Sequence, residues 1–153
     1  MKLAKALEKL RKTSDAKFFN IESVFVSVDP DRDTPEKIEK FAKFFDKTMI
    51  GVTGKSNDDP ALKECMKKFK IYSSKIEFED EESVIKGRKS YTIDHTILTY
   101  LMSPQNEYVA HIGANLGEHD MAKLIMEKIK EDQRASMQKL KLWINLLLLN
   151  LIF

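Results

Sequence analysis

The residues best suited to chemistry in this chain fall in two blocks. Asp29-Pro30-Asp31-Arg32-Asp33-Thr34-Pro35 follows directly on the apolar run Val24-Phe25-Val26-Ser27-Val28, and Thr92-Ile93-Asp94-His95-Thr96 lies well downstream. An imidazole with carboxylates near it can hold a metal ion or move a proton. The same residues also have simpler uses: Asp and Pro make turns, Thr34 caps a helix, and a lone histidine is commonly a hydrogen-bonded edge residue. Other donors are few. The single cysteine, Cys65, excludes an intrachain disulfide framework, a four-cysteine zinc site and a Cys-x-x-Cys redox pair within this sequence. Its spacing with Leu62, Met66 and Phe69 places it on an apolar helix stripe, where a free cysteine acts as a small hydrophobe. His111 and His119 lack ligand spacing to His95, and Met66, Met102 and Met121 suit core gaps better than a metal box.

These blocks need elements to position them. Leu3, Leu7 and Leu10 predict a core-facing helix over residues 2–13, favoured over a secretory or transit segment because Glu8 and the leucine stripe fit it better. Residues 21–28 read as a strand without polar alternation, as expected when both faces are covered. Thr34 as N-cap and Pro35 at the first helical position open a second helix with Ile38, Phe41, Ala42 and Phe45 on one face. A short strand over 48–53 ends at Gly54, and Asp58-Asp59-Pro60 opens a third helix. The acidic run Glu77–Glu82 and the basic Lys86-Gly87-Arg88-Lys89 mark residues 71–91 as an exposed hairpin or loop. A buried strand over 97–102, with His95 at its opening, and a strand over 107–112 flank the turn Ser103-Pro104-Gln105-Asn106. Met121, Ala122, Leu124, Ile125 and Ile129 line a last helix ending near Glu131.

The chain of 153 residues, 42% hydrophobic and 33% charged, has the make-up of one globular domain. A net charge of +2 with interleaved signs leaves no basic stripe, so nucleic acid is not an expected partner. Residues 1–131 are read as the domain and 132–153 as an apolar tail. Its run from Leu140 to Phe153 is shorter than the roughly twenty residues that cross a bilayer. A packed or interfacial helix is the reading for that tail, and any membrane association would run through it. The order of elements is that of an α/β fold and fits the latter part of a thioredoxin-like domain, a mixed sheet flanked by helices, though several other alternating α/β folds would satisfy it too.

Val24 to Glu36, followed by Gly51-Val52-Thr53-Gly54, Ile71-Tyr72 and Tyr91-Thr92-Ile93-Asp94-His95-Thr96-Ile97-Leu98-Thr99-Tyr100-Leu101, resembles the Sco/SenC family of copper-binding proteins. The resemblance covers residues 3–131 and implies a thioredoxin-like fold and a part in assembly of cytochrome c oxidase. It implies copper as the bound metal, held by two cysteines of a Cys-x-x-x-Cys motif and by the histidine of an Asp-His-Thr segment, here His95. Asp94, Asp29, Asp31, Arg32 and Asp33 match the surroundings of that ligand, as supporting residues. Implied partners are cytochrome c oxidase subunit II and other copper chaperones, at the intermembrane-space side of the mitochondrial inner membrane. The cysteine pair and a strand that the family places mid-sheet, between the strands near Val26 and near Leu98, have no counterpart in this sequence. An incomplete or misjoined reading frame is the expectation, with weak copper binding by the one imidazole.

Three readings stay open. The first is a copper-delivery or thiol-maintenance protein impaired by loss of its cysteines, an assembly factor rather than an enzyme. The second is a thiol oxidoreductase or peroxidase, which would need Cys65 as an accessible thiolate. The third is a ligand-less interaction domain.

Overall fold

Strand β1 (Asn20–Val26) explains the layers around it. Phe25 enters one buried cluster and Val24 and Val26 enter another, which is why its apolar run lacks polar alternation. The computed structural model describes residues 1–81, 85, 89–137 and 145–151. Helix α1 (Lys2–Arg11) buries Leu3, Leu7 and Leu10 on the first cluster, and a 3-10 turn over Ser14–Phe18 leads into β1.

After β1, Thr34 accepts a hydrogen bond from the Lys37 amide at 3.4 Å and Pro35 starts α2 (Pro35–Phe45). Ile38 and Ala42 are buried in the first cluster, while Phe41 bridges Phe25 and Phe45 with ring centroids 5.1 and 5.0 Å apart. Strand β2 (Ile50–Val52) runs parallel to β1 beneath this helix. Gly51 permits the approach, because a Cβ there would lie 2.6 Å from Ile38 Cγ2. Asp59 caps α3 (Pro60–Lys68) by accepting from the Ala61 amide at 2.9 Å, and Leu62 packs into the second cluster with Val24, Val26 and Tyr100.

Strands β3 (Ser73–Phe78) and β4 (Ser90–His95) pair antiparallel in a sheet of their own. Residues 71–91 thus contribute a hairpin, but its second strand runs on to His95. That corrects the expected position of His95: it closes β4 and does not open the next strand. The reason is visible in β4, where Tyr91, Ile93 and His95 alternate with the exposed Thr92 and Asp94. Glu82 and Lys86 to Arg88 of the charged runs lie outside the described residues.

Strands β5 (Leu98–Met102) and β6 (Tyr108–Gly113) form the expected hairpin. Ser103 Oγ accepts from the Gln105 and Glu107 amides at 3.3 and 3.1 Å, and Asn106 takes φ 61°, a left-handed value that Asn tolerates. Helix α4 (Glu118–Met137) passes the expected end near Glu131, since no Gly or Pro interrupts residues 132–137. Met121, Ala122, Ile125 and Ile129 pack it on the α1 side.

The tail departs from expectation. Residues 145–151 form a strand, β7 (Asn145–Leu151), where a helix was read. The main sheet has the order β2-β1-β7-β5-β6, with β7 parallel to β1 and antiparallel to β5. It takes the mid-sheet place between β1 and β5. Both flanking strands carry backbone donors and acceptors that need partners, and an apolar run can supply them only as a strand there. Among the described residues no helix is long and apolar enough to cross a membrane.

Candidate metal centre

The loop leaving β1 is built around a buried carboxylate. The Ser27 amide donates to Val52 O at 2.9 Å, extending the β1–β2 ladder, and the Asp29 amide donates to Ser27 Oγ at 3.0 Å. The Arg32 and Asp33 amides both return to Asp29 O, at 3.1 and 3.0 Å, closing a tight turn. Asp29 is 2% exposed. An isolated buried carboxylate would be costly, and here it is well supplied: Arg32 Nε donates to Oδ2, and Tyr91 OH and Asn57 Nδ2 donate to Oδ1 at 3.1 and 3.3 Å. Asp31 and Asn57 exchange backbone-to-side-chain hydrogen bonds, and Asp33 accepts from Ser27 Oγ at 2.5 Å.

Tyr91 joins this loop to the hairpin. Its backbone oxygen accepts from Arg32 Nη1 at 2.7 Å, and the guanidinium lies 4.0 Å over its ring. Lys75 Nζ, from β3, is 4.4 Å from the same ring centroid. Partial burial raises the phenol pKa, and the hydrogen bond to Asp29 and its negative charge raise it further. Sequence reasoning missed Tyr91 and Asn57. The alternation through Tyr91, Ile93 and His95 was the available signal for the first; for Asn57 there was none.

His95 is 8% exposed at the far end of β4. Its Nδ1 lies 3.0 Å from Thr96 O, and since a carbonyl can only accept, Nδ1 carries the proton in this contact. Such a carbonyl contact is the one that orients a metal-binding imidazole. Thr96 is fixed in turn, its amide donating to Tyr72 O and its Oγ1 accepting from the Tyr72 amide, both at 3.0 Å.

His95 and Tyr91 share the inward face of β4 four residues apart, about 13 Å along a strand. The Asp29 cluster therefore sits at the opposite end of β4 from the imidazole. Asp94 is exposed on the other face of the strand. Cys65 is half-buried on α3, and burial pushes its thiol pKa up, with Lys68 opposing; an activated thiolate needs the reverse. His111 is exposed and hydrogen-bonded to Tyr108 OH at 2.6 Å, and His119 lies in the first turn of α4. Among the described residues no three His, Cys, Asp or Glu side chains converge as a metal site. The donors present fit one position of a copper site, that of an oriented imidazole.

An α/β domain of this kind has counterparts among known proteins. The chain is similar to the mitochondrial protein SCO1 homolog 1 of Arabidopsis thaliana, 34% identical over 131 residues, which are 86% of this chain and 34% of that protein. It is 30% identical over 125 residues to the mitochondrial protein SCO2 of Saccharomyces cerevisiae, covering 82% of this chain and 37% of that one. This chain thus spans about a third of the length of these curated relatives. Among solved structures, Arabidopsis thaliana ScoI with copper bound superposes with a TM-score of 0.70 at 31% identity, over 85% of this chain and 72% of that chain. Yeast Sco1 with copper bound gives 0.66 at 28%, over 92% and 71%.

The class is a thioredoxin-like α/β protein. The SCO1/SenC family model matches residues 1–130, and the chain belongs to that family.

Proposed function

We propose that this chain is a Sco-type copper-binding factor in assembly of cytochrome c oxidase, with His95 as its metal ligand. The observation that carries the reading is the buried His95 ring, oriented by Thr96 O, in a chain whose family match spans residues 1–130 and whose structural counterparts hold copper. Asp29 and Arg32 support the hairpin that bears the ligand through Tyr91, Asp31 and Asp33 brace the loop around them through Asn57 and Ser27, and Asp94 supports the ligand only as its exposed neighbour in β4. The partner is subunit II of the oxidase, reached at the intermembrane-space side of the mitochondrial inner membrane.

Copper is cargo in this reading and moves by exchange of ligands between donor and acceptor, so the protein carries rather than catalyses. The imidazole accepts either oxidation state, whereas tight Cu(I) binding needs soft thiolates. One imidazole and the half-buried Cys65 give weak binding at best. Copper titration of the chain and of His95→Ala tests the assignment. Weak binding abolished by the substitution is expected; high-affinity Cu(I) binding that survives it overturns the reading, as does absence of binding in both.

A further inference from the structure

The β3–β4 hairpin is a sheet of two strands, and the two are not equally covered. The body of the protein meets β4: Tyr91 O accepts from Arg32 Nη1 at 2.7 Å, and Ile93 packs on the second cluster. Strand β3 has no such cover. Among the described residues only β4 hydrogen-bonds to the backbone of Ser73–Phe78, and Lys75, Ile76, Glu77 and Phe78 are exposed in succession. An open edge of this kind is a template for another strand. Ile76 and Phe78 share one face, 49% and 43% exposed, opposite Thr92 and Ser90 of β4. Lys75 and Glu77 share the other face and pair at 3.0 Å, a contact that holds the Glu77 carboxyl below its ordinary pKa.

We propose that the outer edge of β3 is a self-association site whose occupant is the same edge of a second copy of this chain, paired antiparallel about a two-fold axis through Ile76. In an antiparallel ladder the outward-facing backbone groups belong to alternate residues, so such an axis passes through a residue and not between two. With the axis at Ile76, Lys75 of each copy stands opposite Glu77 of the other, Ile76 opposite itself, and Phe78 opposite Ser74. Moving the axis one residue either way sets Lys75 against Lys75 or Glu77 against Glu77, and like charges directly opposite are destabilising. Charge thus selects one register. A lysine on an edge commonly deters pairing, and Glu77 offsets it when the partner carries the same residues in reverse order. Ile76 and Phe78 lose water on their open side at the same time. A junction of two such short edges falls below the roughly 1,200 Å² of surface that stable complexes bury, so the dimer is transient. It forms a four-stranded sheet, β4-β3-β3-β4, with both His95 rings on its outer strands.

The test is sedimentation equilibrium of the full chain at low salt, from about 10 μM to about 1 mM, the range suited to an interface of this size. The wild type is expected to self-associate. Lys75→Glu and Glu77→Lys, each confirmed as folded by far-ultraviolet circular dichroism, should weaken association by about tenfold or more when alone, because each turns two attractive cross-strand pairs into repulsive ones. Mixed in equal amounts, the two variants should associate at least as tightly as the wild type, since an acidic edge then faces a basic one at both pairs. A wild type that stays monomeric at the highest concentration overturns the proposal and leaves the edge to an extended segment of another protein. Association that persists equally in both variants runs through another surface and also overturns it. So does a mixture that associates no more tightly than its parts, because the axis would not lie at Ile76. Copper enters none of these measurements, so the result stands apart from what His95 binds.

Discussion

Arg32→Met in the chain with and without Asp29→Asn probes the buried carboxylate directly. Asp29 is 2% exposed, whereas the Arg32 side chain is 47% exposed, so the guanidinium is the half-wet partner of a dry anion. A hydrogen bond to a charged group contributes about 1.5–3 kcal/mol, and the exposure of Arg32 puts this one at the low end, about 1.5 kcal/mol. Stacking on Tyr91 adds roughly 0.5–1 kcal/mol at a partly exposed site. Methionine retains much of the stem packing, so Arg32→Met should cost about 2 kcal/mol. For a chain of this length that lowers Tm by about 4–8 °C. In the Asp29→Asn background the anion is gone, and the same change should cost under about 1 kcal/mol, leaving a coupling of roughly 1–1.5 kcal/mol. Urea denaturation followed by far-ultraviolet circular dichroism gives all four corners of the cycle. Equal costs of Arg32→Met in both backgrounds would refute the claim that Arg32 acts by neutralising Asp29.

Asp46 gives a pH signature. Burial alone would raise its pKa, but hydrogen bonds from the Thr48 amide and hydroxyl and from Arg11 outweigh it and hold the carboxyl below its ordinary value. Its stabilising effect is therefore complete above the ordinary aspartate range and lost as pH falls through the lowered folded value. Asp46→Asn should be roughly 1–2 kcal/mol less stable near neutrality, and its stability should fall less on acidification; parallel curves would refute this. Paired cysteines test the β1–β7 register, in which Val24 faces Leu149. With Cys65→Ser as background, Val24→Cys and Leu149→Cys in one chain should form an intrachain disulfide in dilute oxidising solution, and free thiols under those conditions would remove β7 from beside β1.

Much of the fold was legible because its signals are local. Leu3, Leu7 and Leu10 are all buried, Thr34 and Pro35 open α2, and Met121, Ala122, Ile125 and Ile129 bury the face read for α4. His95 drew attention through its Asp-His-Thr setting, and the solvated charges around 77–89 hid the strand that ends on it. The hub at Asp29 was not legible, since Tyr91 and Asn57 reach it from other elements and no spacing rule joins them. Phe41 lies on the face predicted to be apolar yet remains 37% exposed, because the face is wider than the core it covers. The tail misled for a different reason: an apolar run of that length satisfies helix and buried strand alike, and only two open edges elsewhere in the chain decide between them.

The place of β7 has a consequence for how the protein is made. Residues 20–26 leave the ribosome far ahead of 145–151, so β1, paired with β2, and β5, paired with β6, each keep one edge without its partner until that late segment arrives. In the interval the nascent chain carries two unsatisfied borders, each a template for whatever extended peptide is nearby. Closure then requires a contact between distant parts of the chain, which slows folding relative to local pairing. Completion of the sheet therefore waits on a segment far from both borders in sequence, and until it arrives those borders are the part of the chain most open to misassociation.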